Sequence, residues 1–149
     1  MAAESVFLDT SLIVAASVQS HPAYLPSLSF LAQLAESGAA PCMSLQVCRE
    51  FMVSLTRAPI GGQVHTTGEA LAALDDWLVA TTLLFEDKGV LRHWERLVET
   101  YAVRGKQMHD CHIVATMLGS GVTRIATRNP ADFERYAAEG IRISGPTAH

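Results

Sequence analysis

Apolar positions along this chain follow two rhythms. In five short stretches they run together: "SVFLD" (residues 5–9), "AAPCMS" (39–44), "TTLLFED" (81–87), "TRIATRN" (123–129) and "IRIS" (141–144). Brief apolar or β-branched runs of this kind predict strands. Elsewhere apolar residues return every three or four positions, which predicts helices. "TSLIVAASV" (10–18) opens on Thr and Ser, which favour a helix start. "HPAYLPSLSFLAQLAESG" (21–38) aligns Tyr24, Leu28, Leu31 and Leu34, with Pro22 and Pro26 near its start and Gly38 at its end. "LQVCREFMVSLTR" (45–57), which Ser44 can cap, carries the stripe Val47, Phe51 and Leu55. After a Gly61–Gly62 break, "TTGEALAALDDWLVA" (66–80) places Leu71, Leu74 and Leu78 on one side. "VLRHWERLVETYAV" (90–103) repeats Leu91, Trp94, Leu97, Val98 and Tyr101, and Gly105 breaks the chain after it. "HDCHIVATMLGSG" (109–121) is a helix closed by glycine, and "PADFERYAAEG" (130–140) a helix with proline in its first turn.

Strands and helices therefore alternate, with no repeat, low-complexity segment or long linker. The expected fold is one α/β domain over residues 1–149, a sandwich whose mainly parallel sheet is flanked by helices. In such sheets ligands sit beyond the carboxyl ends of the strands. Asp9 stands there, between Val6, Phe7 and Leu8 on one side and Leu12, Ile13 and Val14 on the other. A carboxylate buried without a partner costs several kcal/mol or more, so packing does not explain it.

Composition narrows the class without naming a function. A chain of 149 residues can bury roughly two-thirds of its unfolded surface. No stretch approaches the ~18 uninterrupted apolar residues of a membrane-spanning helix. The start "MAAESVFLD" has no basic segment ahead of its apolar residues, so no secretory signal is expected. Cys42, Cys48 and Cys111 are odd in number and lack C-x-x-C spacing, which fits buried thiols in a reducing, cytoplasmic setting. The net charge of −4 argues at first against a nucleic-acid partner. Its distribution changes that picture. Residues 1–87 hold two basic and nine acidic residues, a net of −7, whereas residues 88–149 hold nine basic and six acidic, a net of +3. Solvated helix faces account for such a split, and so does a basic surface beside an acidic site.

Three further polar positions compare with Asp9. Glu50 lies in the helix after the second strand, Asp110 opens the helix "DCHIVATML", and Asn129 ends "RIATRN" with Asp132 three residues on. Singly, each has a plain reading: a solvated helix residue, a favourable charge at a helix N-terminus, or a helix cap. Together they describe a cleft of carboxylates whose mutual repulsion a divalent cation relieves. Hard oxygen ligands without Cys or His favour Mg²⁺ or Mn²⁺. Such an ion suits phosphodiester cleavage, because it neutralises the non-bridging oxygens and activates and orients a water for attack. "HDCH" (109–112) also admits a zinc site through His109, Cys111 and His112, but these positions point around a helix rather than to one face. A histidine–aspartate phosphohydrolase would need more histidines and an all-helical fold. Ser11 has no base placed to make it a nucleophile; it fits better as a cap or as a group that positions Asp9.

"FLDTSLIV", the Glu50 helix, "GKQMHDCHIVATMLGSG" and "IATRNPADF" together resemble the PIN-domain nucleases, with the closest likeness to VapC-type toxins of bacterial toxin–antitoxin pairs. The likeness covers nearly the whole chain in order and spacing. It implies a PIN-like three-layer sandwich and a Mg²⁺-dependent endoribonuclease, with Mn²⁺ able to substitute. Asp9, Glu50 and Asp110 take the places of its acidic metal ligands. The family's fourth position is commonly Asp in T-x-D, where this chain has Asn129, a variant the motif also shows. Asn129 would then hold a water or a phosphate oxygen, and Asp132 would partly compensate. Thr10, Ser11 and Thr127 are expected to orient the carboxylates, and Arg104, Arg124 and Arg128 to position the phosphate backbone. The resemblance further implies a homodimer, an RNA substrate and a small cognate antitoxin that occupies the cleft. The Asn129 substitution keeps one rival, a PIN-like module that binds RNA or protein without cutting.

Overall fold

In the computed structural model, which describes residues 3–57 and 64–147, the first strand is β1, Ser5–Leu8. Its Val6, Phe7 and Leu8 are all buried, as expected of a strand covered by helices on both faces. The chain continues through α1 (Thr10–Ser17), α2 (Tyr24–Glu36), β2 (Ala40–Ser44), α3 (Leu45–Arg57), α4 (Thr67–Ala80) and β3 (Thr82–Leu84). It then forms α5 (Lys88–Thr100), α6 (Gln107–Gly119), β4 (Arg124–Ala126) and β5 (Arg142–Ser144). The Gly61–Gly62 break lies outside the described residues. Among those residues no helix is long and apolar enough to cross a membrane.

The five strands form one sheet in the order β3-β2-β1-β4-β5, and every neighbouring pair is parallel. From β1 the chain moves outward to β2 and β3, then returns to the other side of β1 as β4 and β5. The winding reverses between β1 and β4. At such a switch point the connections diverge and leave a crevice beyond the carboxyl ends of the strands. Asp9 follows β1 directly, and its backbone N–H donates to the Ala126 carbonyl of β4 at 2.9 Å. The carboxylate thus stands at the mouth of that crevice.

Several sequence expectations shift in phase. In α2 the buried positions are Ser27 and Leu34, with Leu28 turned outward. In α4 Leu74 and Leu78 face the core as expected, joined by Ala70 and Trp77, while Leu71 is exposed. Ser44 does not cap α3: it is the last residue of β2, and its buried hydroxyl has no hydrogen-bond partner. The stripe Val47, Phe51 and Leu55 is buried as expected. Residues 130–140 are not one α-helix but two 3₁₀ segments, Pro130–Asp132 and Glu134–Glu139. The buried residues there, Phe133 and Tyr136, are three apart. A 3₁₀ turn sets residues at that spacing in line, so this winding presents both rings to the core. Cys42, Cys48 and Cys111 are buried free thiols.

Candidate active site

Asp9 is 6% exposed, and two hydroxyls meet its Oδ2. Thr127 Oγ1 donates to it at 2.7 Å and Ser11 Oγ at 2.9 Å. Both hydroxyls are aimed by the backbone after β4. The Asn129 N–H donates to Thr127 Oγ1 at 3.0 Å, and the Arg128 N–H to Ser11 Oγ at 3.2 Å. A hydroxyl that accepts one hydrogen bond becomes a better donor of the next, so the loop after β4 helps hold the carboxylate at the end of β1. Gly145 closes the arrangement from β5. A Cβ there would run into the Thr127 carbonyl oxygen, so only glycine lets the strand end pack this close.

Glu50 approaches from α3. Its Oε1 accepts from Thr10 Oγ1 at 2.9 Å and its Oε2 from Gln46 Nε2 at 3.2 Å. Gln46 was not a candidate from the sequence. It is 1% exposed, and the same Nε2 donates at 2.8 Å to the carbonyl of His109, the residue before Asp110. One amide therefore ties the helix of Glu50 to the helix of Asp110. Its Oε1 is buried without a partner, an arrangement costly enough to need a reason. The only sequence signal for it was its i, i+4 spacing from Glu50.

Asp110 stands in the first turn of α6, three residues inside a helix that begins at Gln107 rather than at Asp110 itself. With Gln107, Ala131, Asp132, Arg135 and Tyr136 it lines a cavity of about 280 Å³. Burial, then the negative charges of Asp132, Asp9 and Glu50, push its pKa up to about 7. Burial also raises the pKa of Asp9; the hydroxyls of Thr127 and Ser11 and the Thr10 backbone oppose that rise, and Glu50 adds to it. None of the four carboxylates has an ion-pair partner among the described residues. The structure thus brings Asp9, Glu50, Asp110 and Asp132 into one electrostatic neighbourhood. They do not form a closed cage: among the described residues no three His, Cys, Asp or Glu groups surround a common point.

The remaining candidates separate. Asn129 is exposed, and its side chain makes no capping bond to the turn that follows. Arg128 is half-buried, Arg104 is exposed, and neither pairs with a carboxylate among the described residues. Arg124 leaves the expected set. It begins β4, at the amino end of the sheet, and binds Glu4 at 3.5 Å and Ser144 Oγ at 3.1 Å. His109, Cys111 and His112 diverge: Cys111 is buried in the core, His112 pairs with Glu86, and His109 is exposed. A second groove, about 370 Å³, lies between α5 and the start of α6 against Val90, Trp94 and Met108, and includes none of the four carboxylates.

Comparison with known proteins agrees with this geometry. The PIN domain family model matches residues 6–139. No curated protein matches the chain. Among solved structures it is similar to VapBC-1 from nontypeable Haemophilus influenzae, with a TM-score of 0.70 and 14% identity over 95% of this chain and 97% of that one. VapBC2 from Rickettsia felis, bound to a DNA fragment from its promoter, gives 0.68 and 16% over 96% and 99%. VapC20 from Mycobacterium tuberculosis, a sarcin–ricin loop cleaving toxin, gives 0.62 and 19% over 92% and 96%. At these identities the likeness is one of fold.

Proposed function

The chain belongs to the PIN-domain family, and from that premise we propose that it is a Mg²⁺-dependent endoribonuclease, the toxin of a type II toxin–antitoxin pair. The observation that carries this reading is the meeting of Asp9, Glu50, Asp110 and Asp132 at the sheet's switch point, with Asp110 held at a pKa of about 7 chiefly by burial and by the other three. A fold that leaves carboxylates in mutual repulsion is completed by a cation. The donor set is oxygen throughout, which fits Mg²⁺ or Mn²⁺ and not a thiolate-seeking metal.

Asp9, Asp110 and Glu50 would hold the ion, with Asp132 adding negative charge beside Asp110. When bound, it supplies neutralisation of the phosphate oxygens and activation of the attacking water. The protein's part is preorganisation. Thr127 and Ser11 fix the Asp9 carboxylate, while Thr10 and Gln46 fix Glu50, so neither rotates away when RNA arrives. Asn129, at the exposed mouth, would bind a phosphate oxygen. Arg104 and Arg128 would follow the backbone beyond it.

A small cognate antitoxin as partner is supported by the toxin–antitoxin complexes among the neighbours of this fold, and the homodimer by the family resemblance. Asn129 in place of the family's usual Asp keeps one rival, a module that binds RNA or protein without cutting, while the presence of Asp9, Glu50 and Asp110 favours catalysis. Incubating the purified protein with RNA and Mg²⁺, beside an EDTA control, decides between the two. EDTA-sensitive internal cleavage is expected, and intact RNA in both samples overturns the nuclease reading.

A further inference from the structure

The basic half of the chain is less free than its net charge implies. Arg96 is bound to Glu139, Arg92 to Glu95, and Arg124 and Arg142 both to Glu4. Arg135 is different. It lines the cavity of Asp110 and Asp132, yet it forms an ion pair with neither, nor with any other carboxylate among the described residues. Its guanidinium is held elsewhere. Nη2 donates to the Tyr101 carbonyl at 2.6 Å, and the guanidinium carbon lies 5.9 Å from the centre of the Tyr136 ring. Tyr136 is itself fixed, fully buried and edge-on to Tyr101 at 5.0 Å.

We infer that Arg135 binds a phosphate of the RNA backbone inside this cavity, which makes the cavity a phosphate subsite with acidic and basic walls; the identity of the ligand rests on the nuclease reading. Placement and unspent donors both point there. A guanidinium presents five N–H donors in a planar fork that matches two oxygens of one phosphate. Here one donor is spent on a neutral carbonyl, which orients the fork without cancelling its charge. The same cavity is lined by the two carboxylates, Asp110 and Asp132. A phosphodiester entering this cavity would meet the arginine there, beside a cation held by Asp110 together with Asp9 and Glu50. Arg104 and Arg128 also form no ion pair among the described residues, but neither lines this cavity, so their part is with flanking phosphates.

The test measures binding of a fluorescein-labelled, mixed-sequence single-stranded RNA in Ca²⁺ across a range of salt, and cleavage of the same RNA in Mg²⁺. Arg135→Ala is expected to weaken binding about tenfold, the size of one charged hydrogen bond. It should also make the slope of log affinity against log salt shallower by about 0.7, the share of one single-strand phosphate contact. Arg135→Lys should keep the slope while losing part of the affinity. Arg135→Gln retains a donor for the Tyr101 carbonyl but not the charge, and should lose the slope like alanine. Arg92→Ala, already paired on the surface of α5, should match the wild type. If Arg135→Gln binds with the wild-type slope, Arg135 is only a structural tether and the inference is overturned. It is overturned equally if Arg135→Ala behaves as Arg92→Ala. RNA that binds with the Arg135-dependent slope but stays intact in Mg²⁺ would instead overturn the nuclease reading and leave the phosphate subsite standing.

Discussion

The two ends of the sheet treat carboxylates in opposite ways. At the amino end, Glu4 lies just before β1 and pairs with Arg124 at the start of β4 and Arg142 at the start of β5. At the carboxyl end of the same strands, Asp9 follows β1 and Asp132 lies past β4, joined by Glu50 and Asp110, and neutral hydroxyls and an amide orient Asp9 and Glu50. Away from the sheet, Glu139 shows what pairing does: its bond to Arg96, helped by Tyr101, lowers its pKa despite some burial. Asp110 moves the other way, to about 7. A carboxylate near an arginine is ordinary surface chemistry. Four of them together, none in an ion pair among the described residues, leave negative charge that a cation would offset.

The largest effect should come from removing charge at the unpaired end. Asp110→Asn is expected to reduce Mg²⁺-dependent RNA cleavage by more than about 100-fold, beyond the 10–100-fold typical of losing an outer partner of a metal ligand. The metal-free variant should melt no lower than the wild type, because the substitution relieves repulsion from Asp132, Asp9 and Glu50. A folded Asp110→Asn protein that cuts RNA at the wild-type rate would break the contrast between the two ends.

Gln46 sharpens it at the next level. Gln46→Leu keeps the bulk of a buried side chain but frees Glu50 Oε2 and leaves the His109 carbonyl without its donor. Mn²⁺ affinity, measured by calorimetry, should fall by about 10–100-fold. Unchanged affinity would show that Glu50 needs no tether.

Asp9 was legible in the sequence because a lone carboxylate set between two buried apolar runs is expensive. The alternation of strands and helices likewise sufficed for the parallel sheet. Helix phase was less legible. In α4, Leu71 looks as apolar as Leu74, but the inward face runs through Ala70, Leu74, Trp77 and Leu78, and Leu71 falls outside it. Gln46 had only its i, i+4 spacing from Glu50 to show, since its tie to α6 depends on a carbonyl 63 residues away. Arg135 was hidden for a similar reason: sequence gives charge, and only the fold shows which charges are already spent.

The pH dependence of stability tests the same repulsion without RNA. In the unfolded chain Asp110 has an ordinary carboxyl pKa near 3.8, and in the folded, metal-free protein it is about 7. Between these values the folded state binds the extra proton, so stability falls as pH rises through this window and levels off above it. In EDTA the melting temperature should therefore be lower at pH 8 than at pH 5. Half-exposure of the group trims the amplitude through solvent screening. Mg²⁺ should raise the melting temperature more at pH 8 than at pH 5, since only the ionised carboxylate binds it. Thermal melts of wild type and Asp110→Asn isolate the effect. A variant with the same pH slope as the wild type would assign the slope to other groups.

The smallest effect belongs to the paired end. Glu4 is 42% exposed and Arg142 61%, with Arg124 more sheltered at 25%. Exposed ion pairs of this kind contribute about 0–1 kcal/mol, because water already stabilises both charges and holding two long side chains costs entropy. Glu4→Gln should accordingly lower stability by less than about 1 kcal/mol, and the loss should shrink as salt screens the pair. Cleavage and Mn²⁺ affinity should not change. Strand β1 is only four residues long and Glu4 and Asp9 flank it, so a shift in Mn²⁺ affinity on Glu4→Gln would mean that charge at one end is felt at the other. That result would dissolve the distinction between a neutralised end and a functional one. Denaturant unfolding at low and high salt reads the stability, calorimetry the Mn²⁺ affinity, and the Mg²⁺-dependent RNA cleavage assay the activity.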